Sequence, residues 1–190
     1  MKLLVNLSLI VGTIILNGYI GVNSSYRYGI IPSGGTFSIW GIIYGWLSLS
    51  ILQYANTWSN LDTLYFFISC IGNVSWLYFW SQNNIKMSIF SLFILPASLL
   101  LLWNSILNSP KKGDKLVLNS IALYAGWTIG AFLLNIYIYA KEEKKKGNLN
   151  SFFKTINLEE AAVTFFCLAQ ILWQIYGFFK NKKKKKIFRR

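Results

Sequence analysis

The sequence predicts an all-α membrane protein, and three observations carry that prediction. Of its 190 residues, 54% are hydrophobic and only 13% are charged, and the mean hydropathy is +0.43, outside the usual soluble composition. The apolar residues gather in six uncharged stretches, roughly 3–22, 36–56, 61–82, 87–108, 116–140 and 161–179. Each is near the ~20 residues that a helix needs to cross a hydrocarbon core of ~30 Å. These runs are about twice the length of an outer-membrane barrel strand, and they lack its period of two.

In chain order, Lys2 opens the first stretch and apolar residues follow as far as Val22. Residues 1–24 share the layout of a secretory signal, but no convincing small-residue cleavage site follows, so the stretch reads as the first span. Pro32, Ser33, Gly34 and Gly35 form a turn that releases into the second stretch, whose start is the aromatic run TFSIWGIIYGWL at 36–47. Asn60 stands where a helix cap belongs, and Asp62 where the helix dipole favours a carboxylate. Pro110 and Gly113 close the fourth stretch, and Lys141 to Gly147 is expected to end the fifth. Glu159 and Glu160 open the sixth, again at a dipole-favoured position. The longest polar segment, Lys141 to Asn157, is too short to bury a core of its own. Residues 1–140 are therefore expected to form the membrane bundle. Residues 141–190 are expected to hold a basic loop, an additional apolar helix and a polybasic tail.

Charge is the second signal, with 19 Lys and Arg against 6 Asp and Glu. Eight of the basic residues crowd into Lys180–Arg190, where they read as a stop-transfer anchor under the positive-inside bias. The same tail would attract anionic lipid headgroups at roughly 1 kcal/mol per Lys or Arg near the surface. Nucleic acid is not an expected partner, because this charge sits beside membrane helices and not on a folded reading surface. The distribution places the C-terminus in the cytoplasm whether or not 161–179 crosses, and leaves the side of the N-terminus open. Cys70 and Cys167 both fall in membrane stretches and are read as free, reduced thiols.

Histidine is absent from the chain, and no Asp, Glu, Lys or Arg lies within the core of a span, those nearest standing at the ends. General acid–base catalysis, a nucleophile with its base, and a His-containing metal site all lack their usual parts. Ion-coupled transport normally shows an intramembrane carboxylate, and none is present. Binding of a flat, apolar ligand remains, because 8 Trp, 11 Tyr and 14 Phe offer large rigid faces. Phe37, Trp40 and Tyr44 share one face of the second stretch. Asn73, Trp76 and Trp80 repeat that spacing in the third, and Tyr124, Trp127, Ala131 and Asn135 continue it in the fifth. The stripes fit two uses, packing of the bundle or enclosure of a ligand. Asn73 and Asn135 must find partners in either case, across helices or on that ligand. Gly41 with Gly45 and Gly126 with Gly130 form two Gly-x-x-x-Gly pairs, which suit a dimer face or close contact within the bundle.

FSIWGIIY at 37–44, NVSWLYFW at 73–80 and YAGWTIGAFLLN at 124–135 together resemble the tryptophan-rich sensory protein/translocator protein family, over roughly residues 3–140. The most specific match is Tyr124, Trp127, Ala131, Leu134 and Asn135 at fixed offsets. Leu123 stands where the family usually has a proline, Leu77 where it has a serine, and Phe37 lies one residue closer to Trp40 than is usual. The resemblance implies a five-helix bundle, with 161–179 as an additional C-terminal helix. It also implies a receptor for a porphyrin or a sterol, involved in transport or sensing, with a homodimer as its assembly. Trp40, Tyr44, Asn73, Trp76, Trp127, Ala131 and Asn135 are the implied ligand-binding residues. No cofactor is expected to be required, a porphyrin or haem precursor being the ligand. Two alternatives accompany this reading: a light- and Trp-dependent porphyrin-degrading enzyme, and a passive carrier or structural membrane subunit.

Overall fold

The computed structural model describes residues 1–23, 38–109 and 115–145. They form five α-helices, α1 (Lys2–Asn23), α2 (Ile39–Tyr54), α3 (Asn60–Ser81), α4 (Ile85–Asn108) and α5 (Lys115–Lys145), with a 3-10 turn at Ala55–Thr57 between α2 and α3 and no strand among the described residues. Helices α1, α4 and α5 are each long and apolar enough to cross a membrane. The protein is an all-α membrane protein. The turn at Pro32–Gly35, Phe37, the stretch 161–179, Cys167 and the basic tail lie outside the described residues. By compactness the chain divides into two units, Met1–Tyr139 and Ala140–Arg190, and only the last turns of α5 are described in the second.

Apolar side chains fill the interior and also cover the outer surface, as a hydrocarbon solvent permits, and several polar side chains are buried among them. Leu4, Ile15 and Phe93 are 71%, 64% and 60% exposed, whereas Asn6, Ser50, Ser69, Asn73, Ser88 and Thr128 are fully buried. Buried hydroxyls find acceptors one turn back along their own helices. Thr13 donates to the Leu9 carbonyl (2.8 Å), Ser69 to Phe66 (2.7 Å), Ser98 to Leu95 (2.8 Å) and Thr128 to Tyr124 (3.0 Å). This local pairing removes the cost of placing polar groups where no water can serve them.

The linkers show why the helices end where they do. At the end of α3 the Asn84 N–H bonds the Phe79 carbonyl (2.9 Å) and the Asn83 N–H bonds Trp80 (3.0 Å), the paired pattern that closes a helix through a left-handed residue. Asn83 supplies that residue, with φ 57°, a conformation that asparagine tolerates. The Asn84 side chain then accepts from the Met87 N–H and starts α4, so three residues reverse the chain. At the start of α3 the cap is Ser59, one residue before the expected Asn60. Its hydroxyl accepts from the Asp62 N–H (3.0 Å), and the Asp62 carboxylate accepts from the Ser59 N–H (2.7 Å). This reciprocal capping box satisfies two otherwise orphaned donors. The fifth helix also departs from expectation, since it runs through Lys141–Lys144 to Lys145. Lys and Glu are good helix formers, so charge there ends the apolar run without ending the helix.

Helix α3 is the central element, packed most extensively on α4 and also on α1. Its approach to α4 is set by Gly72, where an added Cβ would lie 3.1 Å from Leu95 Cβ and 3.2 Å from the Leu95 backbone. Pro96 follows directly, within α4, where its missing N–H is tolerated because α4 is buried against neighbours. Gly41 and Gly45, by contrast, face open space, with nothing within 4 Å of an added Cβ. Close packing within the bundle is therefore not their role. Near the start of α1, Lys2 Nζ donates to the Trp58 carbonyl (2.5 Å) and Asn6 Nδ2 to Thr63 Oγ1 (3.3 Å), which pins α1 to the start of α3. Helix α5 is joined to α2 by Ser50 and Ser120, 3.1 Å apart.

The contrast between the glycines makes a prediction. Gly72→Ala should force α3 and α4 apart and destabilise the protein by about 1–3 kcal/mol. Gly45→Ala should be neutral or stabilising by up to about 1 kcal/mol, because alanine is the better helix former. Thermal unfolding of the two variants in detergent checks this, and equal midpoints would contradict the close approach at Gly72.

Candidate functional site

The first turn of α2 carries Trp40, and the next turn of the same face carries Tyr44. Rings from three helices converge on Trp40. It stacks on Tyr44 with centroids 5.3 Å apart, tilts against Trp76 of α3 at 5.8 Å, and meets the edges of Tyr124 and Trp127 of α5 at 5.9 and 6.2 Å. Tyr44 and Tyr124 meet edge to face at 6.3 Å. These separations are those at which aromatic pairs attract beyond their buried area. The stripes therefore point inward and toward one another, and the indole of Trp40 occupies the middle of the group.

A chain of polar side chains lies against this cluster and connects four helices. Asn73, fully buried on α3, is its centre. Its Nδ2 donates to the Tyr124 hydroxyl (2.7 Å), and its Oδ1 accepts from the Tyr44 hydroxyl (3.3 Å) and from Asn17 Nδ2. Asn17 Nδ2 also donates to the Tyr44 hydroxyl (2.6 Å). The phenols of Tyr44 and Tyr124 thus have their rings in the aromatic cluster and their oxygens in the polar chain, so one set of bonds orients both. Three buried atoms of this region have no hydrogen-bond partner: Trp76 Nε1, Trp127 Nε1 and Asn17 Oδ1. Unpaired buried polar atoms carry a penalty, and here two donors and an acceptor are left without a partner.

The seven residues expected at the site divide into two groups. Trp40, Tyr44, Asn73, Trp76 and Trp127 come together. Asn135 serves another contact, accepting from Ser88 Oγ of α4 (2.7 Å) and donating to the Ala131 carbonyl (2.9 Å), which locks α5 to α4. Ala131 lies half-buried one turn beyond Trp127, with its carbonyl held by Asn135. Two participants were not among the expected site residues. Tyr124 is part of the fifth-helix motif, and its burial makes it a shared wall of both networks. Asn17 carried a weaker signal, a polar residue that falls with Asn6 and Thr13 on one face of α1.

Chemically the site is apolar, aromatic and hydrogen-bonding, with no carboxylate or ammonium among its members. Among the described residues no three Cys, Asp or Glu side chains gather as a metal site would require. A family model described as TSPO-like protein matches residues 2–169. No curated protein and no solved structure matches the chain.

The role of Asn73 is testable by a double-mutant cycle. Asn73→Leu should lower stability by about 1–3 kcal/mol by leaving buried partners unmatched. Tyr124→Phe combined with it should be non-additive by about 0.5–1.7 kcal/mol, the range of coupling for hydrogen bonds between membrane helices. Additive losses in thermal unfolding would show that the two side chains act independently.

Proposed function

The chain belongs to the TSPO-like protein family, and from that premise we propose that it is a membrane receptor for a flat, apolar ligand of the porphyrin class, which it binds where the rings of α2, α3 and α5 converge. The observation that carries this reading is the enclosure of the Trp40 indole by Tyr44, Trp76, Tyr124 and Trp127. A planar guest of the right size makes the same contacts that Trp40 makes. Binding then consists of exchange: the ligand enters among the four rings as the Trp40 side chain turns aside to cover it. Stacking supplies attraction over each face. The unpaired N–H groups of Trp76 and Trp127 supply donors for an oxygen on the ligand's rim, such as a carboxylate. A sterol, with puckered saturated rings, gains less from edge and face contacts and is the weaker candidate. Sensing or transport follows if the exchange of Trp40 for ligand reaches the start of α2, one residue away.

A titration and two variants test this reading. Protoporphyrin titrated into purified protein in the dark should bind saturably and quench Trp fluorescence. Ala131→Phe, which adds a ring one turn from Trp127 at a half-buried position, should weaken that binding at least tenfold without lowering the thermal midpoint. Trp40→Leu should leave room among the four rings and bind porphyrin at least as tightly as the wild type. Absence of saturable binding would refute the receptor reading. Loss of the porphyrin only under illumination would move the assignment to photochemical degradation.

We also propose that the end of the bundle holding the site is cytoplasmic. Lys86 lies at this end, 5.6 Å from the ring centre of Tyr139, and the sequence beyond Tyr139 carries Lys141, Lys144, Lys145, Lys146 and Lys154, an excess the positive-inside bias retains. The tail Lys180–Arg190, whose charge favours the cytoplasm, would then share that side. A membrane-impermeant thiol reagent should label Gly147→Cys and Asn181→Cys from the same, cytoplasmic side. Labelling from opposite sides would establish a sixth crossing.

A further inference from the structure

We infer that Asn17 of α1 is a ligand-contacting residue of the site, and that it selects flat ligands whose rim carries a hydrogen-bond donor, a hydroxyl or an N–H. This rests on the reading of the ring cluster as a ligand site. Both protons of the Asn17 amide are committed, one to the Tyr44 hydroxyl and one to Asn73 Oδ1, and this fixes which way the amide faces. Its Oδ1 is therefore held as an acceptor, buried and without a partner. On the same stripe of α1, Asn6 Oδ1 is also buried without a partner, but Asn6 sits at the start of the helix, bonded to the Lys2 carbonyl and Thr63, and only Asn17 bonds a residue of the ring cluster.

The position of the vacancy gives it a use. Asn17 bonds the hydroxyl end of Tyr44, whose ring stacks on Trp40, so the amide sits at the edge of the space that a guest would take from the Trp40 indole. A ligand donor reaching this edge would complete the only unfilled bond of the polar chain's terminal member. The other acceptors along the chain are engaged already: Asn73 Oδ1 takes two donors, and the Tyr124 oxygen takes one. The donor of the ligand is thereby directed to Asn17 of α1, while its acceptors are directed to Trp76 of α3 and Trp127 of α5. Donors and an acceptor at separate points of the cluster would orient a flat guest that stacking alone leaves free to spin. The discrimination belongs to the side chain, because an apolar residue at 17 would offer neither the acceptor nor the bonds that hold it.

A matched pair of planar probes isolates this contribution. Hydroxypyrene and its methyl ether share a ring and an acceptor oxygen, and only the first can donate. Binding to purified wild-type protein, followed by pyrene anisotropy, should favour hydroxypyrene by roughly five- to tenfold, the worth of one hydrogen bond to a buried acceptor. In Asn17→Leu the two probes should bind within twofold of each other, with the ether still bound. Asn17→Ala provides the same comparison if the leucine variant fails to fold. A preference that survives removal of the amide overturns the assignment. Wild-type protein that binds protoporphyrin but does not prefer the hydroxyl overturns the role of Asn17 alone, and wild-type protein that binds none of the three probes overturns the ring-cluster site as well.

Discussion

An amide buried in a lipid-facing bundle must be satisfied by protein, and Asn73 meets that requirement by joining α1, α2 and α5 to α3. No water competes for its donors or acceptors at this depth, so each bond constrains the helix that supplies the partner. The bonds also decide orientation. Tyr44 and Tyr124 cannot place their hydroxyls on Asn73 without presenting their rings to Trp40. The polar chain thus orients two of the four rings that meet Trp40.

Hydrophobic burial has little to say about how these helices find one another, since lipid is as apolar as leucine. Close packing and directed hydrogen bonds do that work instead. Gly72 lets the α3 backbone reach Leu95 of α4, Ser88 and Asn135 tie α4 to α5, and Ser50 with Ser120 ties α2 to α5. Each contact uses a small or polar residue inside an otherwise greasy helix. The site stands among these ties, on elements whose mutual positions are set from several directions, which is what a rigid receptor wall requires.

The site offers aromatic surface and hydrogen-bonding groups. Trp and Tyr offer faces, edges and a few polar tips, and the tips are unequally used: both phenols bond to Asn73, whereas the N–H groups of Trp76 and Trp127 do not bond at all. That asymmetry separates side chains that hold the bundle from side chains that have capacity left for a guest. The same residue types are thus fully engaged at one point and partly unpaired at another. Asn135 spends both ends of its amide on the fold, while Asn17 keeps one end in reserve.

Much of the fold was legible in the primary structure, because the period and length of apolar runs respond directly to a solvent slab of given thickness. The existence of five described helices, their approximate limits, the inward aromatic stripes of α2, α3 and α5, and the need for Asn73 to find partners all follow from residue type and spacing. Boundaries that depend on three-dimensional detail did not: Ser59 caps α3 in place of Asn60 because its backbone is extended there, and α5 continues past Lys141 because charge does not break a helix. What only the tertiary structure decided is which stripe meets which. Spacing places Asn135 and Asn73 on equivalent faces, but the packing of α4 takes the first and the convergence on Trp40 takes the second. Gly72 and Asn17 became visible only through their neighbours. A close approach and an unpaired acceptor are properties of pairs of helices, and no single helix encodes them.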